Sequence, residues 1–166
     1  MALNVSYTAD CNKVIITTTG ADRTKTNTIQ ITNGSRSITY TFDQQDTNTR
    51  VVTVAEIGGD NGIYVVNHVV DGNIIARAAV ILSCDIQCCL ASKMNELLKC
   101  DCDCTKCADQ LAEAQKIFLL LKTAESELAL ADEAGTIQQI QAVIDSAQEK
   151  YLTAQDMCAG HCGCNC

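Results

Sequence analysis

Seven short stretches in the first half of the chain are built largely from Val, Ile, Thr and Tyr: "LNVSYT", "KVIITTT", "NTIQIT", "RSITYTF", "RVVTVAE", "GIYVVNHVV" and "NIIARAAVIL". Polar or glycine-bearing segments separate them. β-Branched and aromatic side chains fit a pleated, half-buried surface, so each stretch is expected as a strand. In the fourth, Ile38, Tyr40 and Phe42 alternate with Ser37, Thr39 and Thr41, the period of two that turns one face to a core. "TNGS" around Asn33 and Gly34, and "VDGN" around Asp71 and Gly72, hold residues that tolerate positive φ and predict tight hairpins. Together these signals predict an antiparallel β-sandwich or barrel over residues 1–83, immunoglobulin-like in broad shape. Its threonine-rich faces are expected to be solvated or laid against a partner.

After Ser83 the period changes to that of a helix. "DIQCCLASKMNELLK" fits a first helix, "KCADQLAEAQKIFLLLKTAESELALADEA" a second and "TIQQIQAVIDSAQEKYLTAQDM" a third. Gly135 is the stop between the last two, and Thr136 the N-cap of the third. The second helix offers Leu111, Ala114, Phe118, Leu121, Leu128 and Ala131 as its apolar stripe, and the third Ile140, Ile144, Ala147, Tyr151 and Ala154. Matching stripes predict an antiparallel hairpin packed along its length. "IFLLLK" is apolar nearly all round, so the first helix, the sandwich or another subunit must also cover it. The expected class is therefore α+β: a β-sandwich domain over 1–83, then a Cys-rich helical domain over 84–166.

Charge separates the halves further. Residues 1–83 carry six Lys/Arg against seven Asp/Glu, whereas residues 84–166 carry six Lys, no Arg and thirteen Asp/Glu. An acidic surface without Arg forks repels phosphate backbones, so no nucleic-acid partner is expected. No apolar run approaches the ~18 residues of a membrane span, so no membrane partner is expected either. The opening "MALNVSYTADC" lacks a basic region followed by an apolar one, which points to synthesis in a cytosol, where thiols stay reduced.

That compartment bears on the twelve cysteines. "CDCDCTKC" carries Cys100, Cys102, Cys104 and Cys107, and "CAGHCGCNC" carries Cys158, Cys162, Cys164 and Cys166 with His161. At ~1.5 Å per residue the second helix is about 42 Å long and the third about 31 Å. Folding back at Gly135 lays Met157 near Ala114, so the tail can reach the 100–107 loop. Eight thiols and one imidazole at one end are enough for two tetrahedral zinc sites. C-x-x-C suits two ligands on one ion, and C-x-C suits bridging thiolates. Cys84 and Cys88 share a face of the first helix with Cys89 beside them. This trio makes a site only with a fourth ligand from the tail, Cys11 or another chain. Cys11 is otherwise expected as a lone buried thiol, and His68 as structural. The competing arrangement is disulfide stapling in an oxidising medium, since twelve is even.

Catalysis is not expected: G-x-S-x-G, the P-loop and G-x-G-x-x-G after a strand are all missing from the sequence. A zinc saturated by four thiolates has no open position for water. The stretch "CDCDCTKCADQLAEAQKIFLLLKTAE", residues 100–125, resembles small cysteine-rich virion proteins of tailed bacteriophages. In those a β-rich part precedes a helical segment bearing C-x-C-x-C-x-x-C and then A-Q-K-[IV]-[FY]-L-L-L. The resemblance covers residues 84–166. It implies a non-enzymatic structural or adaptor protein of the virion (capsid decoration, neck, tail or fibre attachment) that contacts other virion proteins and forms a homo-oligomer. Two alternatives stand beside it: a metal-binding or storage protein resembling metallothionein in its C-x-C runs, and a disulfide-stapled redox adaptor. Asp101 and Asp103 among the thiols disfavour the last, because low-pKa thiols need positive neighbours.

Overall fold

The computed structural model describes residues 2–34, 36–42, 47–99 and 104–159, leaving aside the side chains of 104–106. Seven strands come first: β1 (Ala2–Tyr7), β2 (Lys13–Thr19), β3 (Asn27–Asn33), β4 (Arg36–Thr41), β5 (Thr47–Thr53), β6 (Gly62–Val70) and β7 (Asn73–Leu82). Three helices follow: α1 (Cys84–Leu98), α2 (Cys104–Leu130) and α3 (Ile137–Ala159). The strands form two antiparallel sheets, one ordered β1-β2-β5 and the other β4-β3-β6-β7. The class is α+β, as the change of period after Ser83 predicts.

The sheets face each other across a core. Leu3, Val14, Ile16 and Val52 come from the three-stranded sheet, and Ile29, Ile31, Tyr64, Val66, Val80 and Leu82 from the other. The β4 alternation holds: Phe42 is buried, Ile38 and Tyr40 half-buried, and Ser37, Thr39 and Thr41 exposed. The β6–β7 hairpin turns on Asp71 (φ 47°) and Gly72 (φ 82°), the paired positive φ values of a type I′ turn. Asp71 also accepts a hydrogen bond from Thr26 N at 3.1 Å. β5 differs from its predicted span, because "VAE" leaves the strand. The Glu56 carboxylate accepts from Thr53 N at 2.7 Å and Thr53 Oγ1 at 2.6 Å, which closes a turn where the strand would have continued.

A second core lies on the opposite face of the four-stranded sheet. Ile63 of β6 and Ile81 of β7, paired in register, pack with Ile86, Leu90, Ile117, Leu121, Ile144 and Tyr151 of the helices. The molecule therefore has three layers: three-stranded sheet, four-stranded sheet, helices. β6 is covered on both faces, which explains its nearly unbroken apolar run. Tyr151 is buried, and its hydroxyl donates to Leu82 O at 3.4 Å, tying α3 to the end of β7. Burial pushes that phenol up to about 12.

α2 and α3 form the expected hairpin. Thr136 Oγ1 accepts from Gln139 N at 3.1 Å, so Thr136 is the N-cap. The α3 stripe is buried as expected. The α2 stripe needs correction, since Leu111 is 40 % and Phe118 50 % exposed. Its buried positions are Ala114, Ile117, Leu121, Ala124, Leu128 and Ala131, a regular alternation of three and four. α2 also ends at Leu130, short of Gly135, because Ala131 and Glu133 N–H groups reach back only three residues to Leu128 and Leu130 carbonyls and tighten the last turn.

Candidate functional site: the cysteines between sheet and helices

Between β1 and β2 the chain makes a compact turn. Thr8 Oγ1 donates to Asp10 Oδ1 at 2.6 Å, Asn12 Nδ2 to Asp10 Oδ2 at 2.9 Å, and Cys11 N to Thr8 O at 2.9 Å. The Thr8 hydroxyl and the side-chain and backbone N–H groups of Asn12 hold the Asp10 carboxyl down at about 2. Cys11 sits at the tip with φ 55° and is half-buried.

Facing that tip is the first residue of α1. Cys11 and Cys84 form a disulfide with their Cα atoms 6.6 Å apart, across 73 residues of sequence. Cys84 is placed by the end of β7 and by the start of α1, where Asn61 donates a hydrogen bond to Asp85. A helix N-terminus favours a thiolate, the species that attacks in disulfide formation. The bridge joins the outermost sheet to the helical layer across the edge of the sheet between them.

This pairing corrects two expectations. Cys11 is a bridge partner instead of a lone buried thiol. Cys84 is not the zinc ligand its spacing suggests, because its sulfur is spent on Cys11, and a disulfide sulfur is not a thiolate ligand. Cys88, one turn along α1, and Cys107, in the first turn of α2, are disulfide-bonded too, so the same correction applies to both. Cys89 and Cys158 lie in the helical core at 1 % and 7 % exposure. Cys104 opens α2. Cys100, Cys102, His161, Cys162, Cys164 and Cys166 lie outside the described residues. Among the described residues, no three His, Cys, Asp or Glu side chains gather as a metal site would require.

The helical return itself is as expected. Met157 borders one groove with Asp109, Ala112, Glu113 and Lys116, so the end of α3 lies beside the early turns of α2, and Cys158 and Cys107 belong to the same end of the hairpin. His68 is structural. It is fully buried, its Nε2 is 3.0 Å from Asn27 Oδ1, and burial lowers its pKa.

Sequence reasoning missed two contacts that position the helices. Lys93 of α1, 4 % exposed, pairs with Glu113 of α2 at 3.0 Å. Arg77 of β7 donates to Asn67 at 2.6 Å and to Gln141 of α3. The only signal for either was a charge within an otherwise apolar stretch. No helix among the described residues is long and apolar enough to cross a membrane. No family model and no curated protein matches the chain.

Proposed function

We propose that this chain is a non-enzymatic structural or adaptor protein of a tailed-phage virion, present in symmetric copies, with an immunoglobulin-like β part that docks and a helical part that assembles. The observation that carries the reading is the outer face of the three-stranded sheet. Cross-strand rows there run Ser6–Ile15–Val51, Asn4–Thr17–Thr49 and Ala2–Thr19–Thr47, with Thr17 and Thr49 hydroxyls 3.3 Å apart. Beyond Lys13 at its end, these rows carry no charge, in contrast to the acidic helical layer. A broad uncharged face of hydroxyl and β-branched groups suits protein contact with little desolvation cost. The Cys11–Cys84 bridge stiffens the scaffold behind that face and suits a particle outside a cell.

Zinc at the cysteine-rich end of the hairpin is part of the proposal for the thiols outside the bridges described. Elemental analysis with a thiol count on denatured protein reads it: stoichiometric metal supports zinc, and neither metal nor titratable thiol replaces it with further disulfides. The docking role is tested on purified particles of the phage that encodes the chain. Wild-type protein is expected to co-sediment with them through a salt wash, and Thr49→Glu to be depleted from them while its circular dichroism is unchanged. Absence of the wild-type protein from the particles would refute the reading.

A further inference from the structure

The α1–α2 face carries apolar surface that neither sheet nor α3 covers. A groove of about 260 Å³ runs between the two helices, with Leu90, Met94, Leu111 and Ala114 along it and Phe118 at one end. α1 lies antiparallel to α2 here, because Lys93 meets Glu113 and Glu96 meets Gln110. That pairing continues the apolar line along α1 to Leu98. Met94 is 48 %, Leu98 85 %, Phe118 50 % and neighbouring Leu119 66 % exposed.

We propose that this face is a two-fold interface with a second copy of the same chain, in which Phe118 of each copy enters the groove of the other beside Leu111. The shape is self-complementary. A two-fold contact needs projection and recess on one face, related through the axis. Here Phe118 projects, while Ala114, small and 4 % exposed, floors the recess one turn away. Leu111 and Phe118 are two turns, about 10 Å, apart on one stripe of α2, so an axis near Gln115 sets α2 antiparallel to its mate and brings Leu111 against the mate's Phe118.

Charge permits this approach. Residues 84–166 carry thirteen carboxylates against six Lys, so two copies repel over much of their helical surface. Between Leu111 and Phe118 the stripe holds Gln115 and no charge. At its end Lys122 lies 5.6 Å from the Phe118 ring and pairs with Glu125 at 2.8 Å. Met94, Leu98, Phe118 and Leu119, each about half exposed or more, extend the groove into a strip of bared large apolar side chains, the kind of surface that marks a protein contact.

The interface names the contact behind the symmetric copies proposed above and rests on that part of the reading. Sedimentation velocity of the full chain, kept oxidised at up to about 100 µM, is the test. The expected species is a dimer. Phe118→Glu is expected to weaken it by about 50-fold or more with the thermal midpoint held, and Leu152→Glu on exposed α3 to leave it intact. Should Phe118→Glu misfold, Leu111→Gln gives the milder reading, a dimer weakened at least several-fold. A monomeric wild type, a trimer or larger ring, or a dimer indifferent to both substitutions overturns the proposal. So does a dimer that forms only after residues 160–166 are deleted, since the tail would then be the occupant. A monomer that still joins particles would refute this interface alone, and a dimer absent from particles would refute the virion reading alone.

Discussion

His68 is held neutral by its surroundings. Asn27 Nδ2 donates to Asp22 O at 2.9 Å and Lys25 O at 3.0 Å, which fixes Asn27 Oδ1 as the acceptor and places the imidazole proton on Nε2. Among the described residues the buried His68 Nδ1 has no hydrogen-bond partner, so a second proton would sit in the core unsolvated, and burial lowers the pKa below 6.5. The unfolded chain takes up a proton near 6.5 and the folded one only at lower pH. This contribution is thus fully present above 6.5 and lost as pH falls toward the folded value, at up to about 1.4 kcal/mol per pH unit. Urea midpoints at two pH values on either side of 6.5 are expected to drop for wild type more than for His68→Gln, and equal drops would refute the assignment. Lys93 poses the opposite problem, a buried charge with its counter-ion supplied by another helix. Glu113→Gln should cost about 2–3 kcal/mol, because it trades the carboxylate 3.0 Å from that buried ammonium for a neutral amide, whereas Lys93→Met with Glu113→Leu should restore most of the loss. Chemical denaturation of the single and paired variants reads both.

Between α1 and the β1–β2 turn, one covalent bond links elements far apart in sequence. Closing a 73-residue loop removes unfolded-state entropy worth about 4 kcal/mol in the chain-entropy model. Cys11→Ser with Cys84→Ser is expected to lower stability by that order with the sheets intact, and loss of much less would mean the unfolded chain is already restricted there. The same elements show what a sequence can and cannot carry. The strands were legible because β-branched alternation is local, and the α3 stripe because its apolar residues occupy a single face. The α2 stripe was misphased onto Leu111 and Phe118, since "IFLLLK" offers apolar residues in every phase and only the neighbours choose among them. The return of α3 beside Asp109 and Glu113 followed from helix lengths alone. The Cys11–Cys84 pair did not, because its partners meet through the packing of three layers, and spacing within "CDIQCC" is the same for a ligand pair and for two bridge sulfurs.

At the scale of the whole chain, the middle sheet belongs to both halves. Ile63, Val65, Ala79 and Ile81 form the face of β6 and β7 that packs against the helices, while Tyr64, Val66 and Val80, facing the other way, fill the core between the sheets. The change of composition at Ser83 therefore marks a change of secondary structure inside a shared core. Removing the helices would bare four aliphatic side chains on neighbouring strands, together with Cys11 stripped of its partner. Such a patch on a flat sheet drives association. A fragment of residues 1–83 is expected to aggregate or to bind a hydrophobic dye strongly, and Ile63→Thr with Ile81→Thr to relieve both. In the full chain the same two substitutions should cost about 2–5 kcal/mol, because in each a buried ethyl arm gives way to a hydroxyl in the helix-facing core. Light scattering of the fragment and denaturation of the full chain give the two readings. A fragment that stays monomeric and dye-silent without the substitutions would show that the strands close their outer face unaided, and the three-layer account of stability would have to be abandoned for two independent units.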